Sequence, residues 1–266
     1  SGFDDDQIWV NQSTKPLINH IYNGKNENIN ISYEPLTNDD IYYNYRLHGS
    51  GTGSGGIGGI NIFSTASLEK DYELSIPFYV VASAKMANGL GGQDTTSYIY
   101  KGYRVNRYRG PLGFYEIYSY HSQKKELEYT KYKQNFPFIG LPSERINYLN
   151  APMPSTISSS SGVKASIKDY TYDDKSYMLN SKTLHQVYAK SVVGKMYDPD
   201  STNLLVTQTD SKVLSEDHLG NIESQTQTTL DHTTDKTHKT TETYEYDNDT
   251  ANWIIGKVTH NPRVYI

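Results

Sequence analysis

Three carboxylates lie in one tyrosine-rich stretch of the chain. Glu116 falls in a predicted strand, Phe114–Tyr120, and Glu126 and Glu128 open a second predicted strand that runs to residue 134. A glycosidase needs two carboxyl groups that face each other across a cleft. Glu126 and Glu128 share a face of their strand because side chains alternate, but exposed hairpins commonly carry such residues. We therefore assign no catalytic role to these three glutamates.

Two of the 8 histidines lie close to aspartates in a polar stretch. His232 and His238, with Asp231 and Asp235, have the donor atoms of a zinc site. If the stretch is a strand, its alternation puts both imidazoles on one face and both carboxylates on the other. This split disfavours a metal site. Three more histidines lie near turn signals, and we expect them to be solvated: His121, His185 and His218.

Two further segments resemble ligand loops only in part. Asp4–Asp6 is acidic, but Gln7 and Ile8 follow it, whereas a calcium loop needs oxygen ligands at alternating positions. Gly49–Gly59 is rich in glycine but lacks the Gly-Lys-Ser/Thr that ends a phosphate-binding loop. Neither a Gly-x-Ser-x-Gly elbow nor a His-Glu-x-x-His motif occurs. The sequence thus predicts no catalytic, cofactor-binding or metal-binding residue, and no cofactor.

The composition favours strands that would position such residues. The 266 residues include 25 tyrosines, 6 phenylalanines and 2 tryptophans, and 35% of the chain is hydrophobic. Tyrosine favours strands, and its hydroxyl tolerates contact with water. The predicted fold class is all-β, with antiparallel hairpins and extended Tyr/Thr-rich sheets and little or no helix.

The charge and the cysteine content exclude some classes of function. The net charge is −5 and there is no cysteine, so there is no electrostatic case for a nucleic-acid partner and no disulfide or thiolate site. No run of residues approaches the roughly 20 apolar residues of a membrane span. No signal peptide opens the chain, and its two ends suggest a fragment of a longer protein.

Turn residues divide the chain into predicted strands. Asn23-Gly24 predicts a hairpin turn, and Pro35 is expected to end the alternating strand Ile29–Tyr33. The charged segment His121–Glu126 is the predicted tip of the next hairpin pair. Phe136-Pro137 and Leu141-Pro142 are expected to end that ladder because proline cannot donate a hydrogen bond. Two other predicted strands are Pro77–Val81 and Ser97–Val105.

A change in composition suggests three regions. Residues 1–149 form a β-rich region with a glycine-rich insertion near 49–59, and residues 167–266 form a second β-sheet segment. Between them, residues 150–166 are rich in Ser and Pro and are interpreted as an exposed connection between two sheet systems.

Several short motifs, in order along the chain, resemble the middle region of Tc-toxin B components and SpvB-like proteins, which leads into Rhs/YD-repeat proteins. Individually they are short, but their order and spacing extend over about residues 20–260. They are Ile29–Thr37, Tyr79–Val81, Tyr98-x-Tyr100, Arg109–Phe114, the Tyr132-x-Gln134-x-Phe136-Pro137-x-x-Gly140 run, Asp217–Asn221, and Asn248-Asp249 with Trp253–Thr259. Two departures are Arg109-Gly110-Pro111, where Gly-Arg-Gly is more usual, and His218, where Tyr is common.

The resemblance implies a mechanical role. In such toxins, Tyr-rich β-hairpins spiral into a hollow shell around a toxic C-terminal domain, and this region lies between a β-propeller and the YD repeats. The autoproteolytic aspartyl centre of these shells belongs to their far C-terminal part, and nothing in this chain matches it. The resemblance therefore adds no catalytic residue.

The predicted function is a non-enzymatic structural segment of an Rhs/Tc-like toxin shell that encapsulates or helps deliver a toxic C-terminal domain. Its expected partners are the remainder of the longer chain and its toxin cargo, and its expected location is secreted or on the bacterial cell surface. The alternative is a carbohydrate- or protein-binding β-module, in which exposed tyrosines stack on sugars. A glycosidase or metallohydrolase is a third alternative, for which Glu126→Gln or His232→Ala would abolish activity.

Overall fold

A computed structural model of the chain describes residues 17–22, 28–45, 71–89, 91–155, 162–179, 181–200, 204–217, 219–249, 251–252, 254–260 and 263–265. The regular elements in these ranges are nineteen β-strands. The strands are β1 (His20–Tyr22), β2 (Asn28–Pro35), β3 (Tyr42–Tyr43), β4 (Asp71–Glu73), β5 (Tyr79–Ala87), β6 (Gln93–Lys101), β7 (Arg104–Asn106), β8 (Gly110–Gly113), β9 (Glu116–His121), β10 (Glu126–Tyr132), β11 (Pro142–Leu149), β12 (Val163–Leu179), β13 (Lys182–Tyr197), β14 (Leu205–Glu216), β15 (Ile222–Asp231), β16 (Lys236–Thr243), β17 (Glu245–Asp249), β18 (Ile254–His260) and β19 (Arg263–Tyr265).

Fourteen of these strands form one main sheet. Its order is β1-β2-β5-β6-β9-β10-β11-β12-β13-β14-β15-β16-β19, and β3 is attached to β6. From β9 to β16, each strand pairs with its neighbour in sequence. The pairs described are antiparallel except β3–β6, in which Tyr42 and Tyr43 lie opposite Tyr100 and Lys101. The predicted all-β class is thus confirmed.

Two small sheets accompany the main sheet. Strands β4, β7 and β8 form a three-stranded sheet, and β17 and β18 form a hairpin of their own. No helix among the described residues is long and apolar enough to cross a membrane.

The main sheet has a hydrophobic core on each face near β6 and β9, because side chains alternate along a strand. The first core is built on Ile99, Tyr118, Leu127 and Tyr148. The second core lies on the face of Tyr100. Its other buried members are Leu36, Tyr42 and Val80.

Cross-strand register aligns the first core into a row. Ile99 lies opposite Tyr118, Tyr118 opposite Tyr129, Tyr129 opposite Ile146, and Ile146 opposite Ile167. The row therefore crosses five neighbouring strands, β6 and β9–β12. Such directly opposed aromatic and β-branched side chains are the packing unit of a sheet, so this row fixes the register of the strands that carry it.

The C-terminal strands are long and polar. Among the described residues of β12–β16, Val213 is the single buried hydrophobic residue. Threonines replace the apolar contacts in part: the Thr209 and Thr229 hydroxyls lie 3.1 Å apart across β14 and β15, and Thr226 donates to the Thr240 carbonyl. Ladder hydrogen bonds and these threonine contacts hold this part together.

Two predictions about the connections were wrong. Strands β11 and β12 pair with each other, so the predicted connection leads between neighbouring strands of one sheet and not between two sheet systems, and its last residues, Val163–Ser166, already belong to β12. Leu141-Pro142 does not end a ladder, because β11 begins at Pro142. A proline is tolerated at the first residue of a strand. The proposed boundaries at 149 and 167 stay predictions about domains.

Other local predictions were confirmed. β2 ends at Pro35, and the hairpin of β9 and β10 has its turn at residues 122–125.

The predicted strand Ser97–Val105 is not continuous. It is interrupted after Lys101, where Gly102 takes a positive φ of 64°. Several sequence features lie outside the described residues: Asp4–Asp6, Asn23-Gly24, Gly49–Gly59, His218 and Trp253.

Candidate functional site

A row of charged residues runs beside the apolar row on the same face of the main sheet. Lys101 lies opposite Glu116, Glu116 opposite Lys131, and Lys131 opposite Glu144. The charges alternate in sign across β6, β9, β10 and β11. Opposite charges facing each other across strands stabilise a sheet, so the row reinforces the register that the apolar row sets.

Lys101 and Glu116 form the buried end of this row. Their side chains are 9% and 13% exposed, and Lys101 Nζ lies 3.9 Å from Glu116 Oε2. The ammonium also lies 4.7 Å from the centre of the Tyr118 ring and 5.7 Å from that of Tyr43. Burial lowers the pKa of Lys101, and the charge of Glu116 partly offsets that effect. The pair is thus a desolvated ion pair enclosed by aromatic rings.

Three tyrosine hydroxyls surround the Glu116 carboxylate. Tyr118 donates to Oε2 at 3.1 Å and Tyr129 to Oε1 at 3.3 Å, and Tyr45 lies close enough to Glu116 for the carboxylate to raise its pKa. Burial, and then the charge of Glu116, raise the pKa of all three hydroxyls. These phenols remain protonated donors. We call these residues with Lys101 the Glu116 cluster; it joins the segment after β3 to strands β6, β9 and β10.

Glu126 and Glu128 line a shallow groove on the opposite face of the same hairpin. The groove has a volume of about 260 Å³ and is also lined by His121 and Asn147. Glu128 Oε1 lies 3.5 Å from Arg145 Nε and accepts a hydrogen bond from Thr130. Both carboxylates project from one strand, β10, and so stand side by side. They do not face each other across a cleft, as glycoside hydrolysis requires.

The structure places the two histidines that the sequence grouped with aspartates on different elements. Residues 232–235 form the turn between β15 and β16, so the strand expected there, and the two-faced arrangement derived from it, were wrong. His238 lies on β16 opposite Thr229. Among the described residues, no three His, Asp or Glu side chains are grouped so as to hold a metal ion.

His185 has a defined structural contact. Its Nδ1 lies 2.6 Å from Asp174 Oδ2, and its ring packs edge-on against Phe136 with ring centres 4.8 Å apart. It therefore joins the β12–β13 hairpin to the loop that follows β10. His185 is exposed, as expected, and these contacts are an additional feature that the sequence did not predict.

Gln134 connects the main sheet to the small β4-β7-β8 sheet. This residue is 8% exposed, and its Nε2 donates to the carbonyls of Gly102 and Gly113, each at 2.8 Å. Tyr42 makes a parallel connection, because its hydroxyl donates to the Leu74 carbonyl and accepts from the Tyr103 N–H. Gln134 and Gly113 belong to neighbouring motifs of the family resemblance, and the structure brings them together.

A group of hydrogen bonds around Asp217, which we call the Asp217 joint, connects two later motifs of the family resemblance. Asp217 Oδ1 accepts from the Asn221 N–H, and Oδ2 accepts from the amide groups of Asn221 and Asn248, each at 2.9 Å. Asn248 Oδ1 in turn accepts from the Gly256 N–H. Burial alone would raise the pKa of Asp217, but the hydrogen bonds outweigh it and lower the pKa. This Asp217 joint attaches the β17–β18 hairpin to the β14–β15 turn.

Sequence reasoning missed Lys101 and Tyr45 as members of a cluster. Each lies outside any local motif: Lys101 meets Glu116 through strand pairing, and Tyr45 lies two residues after the short strand β3. The one available signal was the isolated cation at the end of the apolar strand Tyr98–Lys101, where a buried charge requires an opposite charge.

The comparisons with known proteins support the fold alone. No family model and no curated protein matches the chain. Among solved structures, the chain is similar to one described as "Crystal Structure of TcdB2-TccC3-TEV", with a TM-score of 0.55 and 10% sequence identity. The match covers 71% of this chain and 13% of that chain, so this chain spans a small part of the structure that it resembles.

Proposed function

We propose that the chain is a non-catalytic structural segment of an Rhs/Tc-like toxin shell, and that the shell encloses or helps deliver a toxic C-terminal domain. The observation that carries this proposal is the main sheet itself, in which β9 to β16 pair in unbroken sequence order. Such a sheet extends in one direction without closing around a ligand site. The fold similarity to TcdB2-TccC3 is consistent with this role.

The chemistry of the Glu116 cluster supports a structural role. A catalytic carboxylate must reach a substrate, but Glu116 is 13% exposed and is paired with Lys101. Its tyrosine neighbours have raised pKa values and cannot act as bases near neutral pH. The cluster therefore contributes to the strength and register of a wall.

The proposal extends to partners and location. The partners would be the remainder of a longer chain and its toxin cargo, at a secreted or cell-surface location. The long polar strands β12–β16 suit this setting, because threonine and tyrosine hydroxyls tolerate a wet cavity on either face.

The test is protection of the cargo in the natural full-length protein. The sequence downstream of this segment should contain YD repeats, and limited proteolysis should leave the C-terminal domain intact. Thr228→Pro should expose that domain, because Thr228 lies on β15 between paired strands and proline removes a ladder hydrogen bond. The control is His232→Ala, in the exposed turn next to the same strand.

Two results would contradict the proposal. One is a full-length protein without downstream repeats. The other is a C-terminal domain that protease cleaves at the same rate with and without Thr228→Pro.

A further inference from the structure

The turn between β7 and β8 presents an exposed cationic and aromatic surface. It consists of Arg107, Tyr108 and Arg109, all exposed, and Tyr108 is 71% exposed. The Asn106 side chain fixes the conformation of the turn, since its Oδ1 accepts hydrogen bonds from the backbone N–H groups of Tyr108 and Arg109 at 2.9 and 3.0 Å. Its side chains are therefore presented from a fixed backbone.

The guanidinium groups of both arginines lie over aromatic rings. The Arg109 guanidinium lies 3.5 Å from the centre of the Phe136 ring, and that of Arg107 lies 5.9 Å from the Tyr108 ring. Phe136 is 43% exposed. Stacking uses the flat face of a guanidinium and leaves its N–H edge free to bind an anion with two hydrogen bonds. We call these four residues the arginine–aromatic surface.

No carboxylate among the described residues forms an ion pair with Arg107 or Arg109. The two carboxylates of the adjacent strand β4 have other partners: Asp71 accepts from the Asn106 amide, and Glu73 accepts from the Tyr45 N–H. In a chain with a net charge of −5, two arginines that form no ion pair within the described part of the chain, beside exposed rings, form a local cationic site.

We infer that the arginine–aromatic surface binds an acidic glycan, with the arginines on a carboxylate or sulfate group and the Tyr108 ring against the apolar face of a sugar. The Phe136 ring, which lies under Arg109 and also contacts His185, positions the Arg109 guanidinium. A guanidinium edge matches the two oxygens of such an anion. An aromatic ring offers a flat apolar surface to a sugar ring.

The size of the surface favours a glycan over a nucleic acid. Nucleic-acid binding proteins commonly contact on the order of 6–10 phosphates, whereas this surface has two arginines in a chain of negative net charge. An acidic peptide would use the arginines but would leave the exposed Tyr108 ring without a role. This inference does not depend on the proposed shell function, because the turn lies on the small sheet and not on the sequential part of the main sheet.

The test measures binding of the folded protein to defined probes at about 0.15 M salt, where long-range attraction is screened beyond roughly 8 Å. The probes are a heparin-derived decasaccharide, a hyaluronan oligosaccharide, neutral dextran, a single-stranded oligonucleotide and polyglutamate. The heparin and hyaluronan probes distinguish a sulfate ligand from a carboxylate ligand. The variants are Arg107→Gln/Arg109→Gln, Arg107→Lys/Arg109→Lys and Tyr108→Ser.

The matched control is Lys236→Gln/Lys239→Gln, which removes two exposed cations from β16 and changes the net charge equally. We expect Kd for at least one acidic glycan to rise tenfold or more in the Arg→Gln double variant and severalfold in the Arg→Lys and Tyr108→Ser variants, with the control unchanged. Circular dichroism verifies folding; if the double variant unfolds, Tyr108→Ser and the Arg→Lys variant decide.

Three results would overturn the inference. The first is the absence of binding to both acidic glycans. The second is an equal loss of affinity in the lysine control, which would indicate unspecific attraction. The third is equally tight binding of the oligonucleotide or polyglutamate, which would indicate a different class of partner.

Discussion

Lys101 Nζ lies 3.9 Å from Glu116 Oε2, and the two residues are direct register partners on β6 and β9. Both side chains are almost fully withdrawn from water, so each charge depends on the other. Removal of one partner from a buried pair leaves an uncompensated charge, whereas replacement of both by apolar groups is often neutral. The pair is therefore a sensitive point of the fold.

Glu116→Ala should lower the free energy of unfolding by about 3–5 kcal/mol. The substitution leaves the buried Lys101 ammonium without an opposite charge, and it removes the acceptor of the Tyr118 and Tyr129 hydroxyls. The Lys101→Met/Glu116→Ala double variant should recover part of the loss. Urea denaturation followed by circular dichroism measures both.

The control for that substitution is Glu126→Gln on the same hairpin. Glu126 lines the open groove, so its replacement should change the free energy of unfolding by less than about 0.5 kcal/mol. Equal losses for Glu116→Ala and Glu126→Gln would show that the ion pair has no special role.

Tyr118→Phe should cost about 1 kcal/mol, the typical net value of one hydrogen bond. The substitution keeps the ring in the first core but removes the donor to Glu116 Oε2. Tyr120→Phe is the matched control, since Tyr120 is buried in the same core but does not contact Glu116. The same denaturation experiment compares the two, and a larger loss for Tyr120→Phe would refute the assigned role of the Tyr118 hydroxyl.

Much of the fold was predictable because strands and turns have local signals. The alternation in Ile29–Tyr33 and the polar tip after His121 located β2 and the β9–β10 hairpin. Asp and Asn also mark turns by a local mechanism, as Asn106 and Asp217 do when their side chains bond to the following backbone. His232 was misassigned because the polar residues of a turn resemble those of a wet strand.

The sites were less predictable because they depend on register between distant strands. The Glu116 cluster joins Tyr45, Lys101 and Tyr129 to Glu116. These residues lie on three different strands, β6, β9 and β10, and just after a fourth, β3. The local patterns of a single sequence do not show which of its many polar residues face each other. The short parallel pairing of β3 with β6 had no local signal either, because β3 is two residues long.

Gly220→Ala should be more destabilising than Gly140→Ala. Both glycines have a positive φ, 85° and 79° respectively, which costs an alanine roughly 1–2 kcal/mol. At Gly140 a Cβ would meet nothing within 4 Å, whereas at Gly220 it would lie 2.7 Å from Gln186 Cδ. Gln186 donates to the Gly220 carbonyl, so its displacement should add about 1 kcal/mol. Thermal unfolding of the two variants measures the difference, and equal losses would contradict it.

Stability should fall as the pH decreases from about 4 to about 2, in part because of Asp231. The side-chain hydroxyls of Thr233 and Thr234, followed by the Thr233 backbone N–H, hydrogen-bond to its carboxylate and lower the pKa of Asp231 to about 2. An unfolded aspartate has a pKa of about 3.9, so in this window the unfolded state binds more protons than the folded state. The contribution is complete above the unfolded pKa and is lost as the pH falls through the folded pKa.

Asp231→Asn should flatten this part of the pH profile. The matched control is Asp235→Asn in the same turn, where the backbone φ of 55° suits asparagine. Urea denaturation between pH 2 and 6 measures stability, and the carboxyl carbon resonance of Asp231 reports its titration directly. A resonance midpoint near pH 4 would show that the threonine hydroxyls do not stabilise the Asp231 carboxylate. An unaltered dependence of stability on pH in Asp231→Asn would assign the acid sensitivity to other carboxylates. Asp217 is the first of these to examine, because its pKa is also lowered.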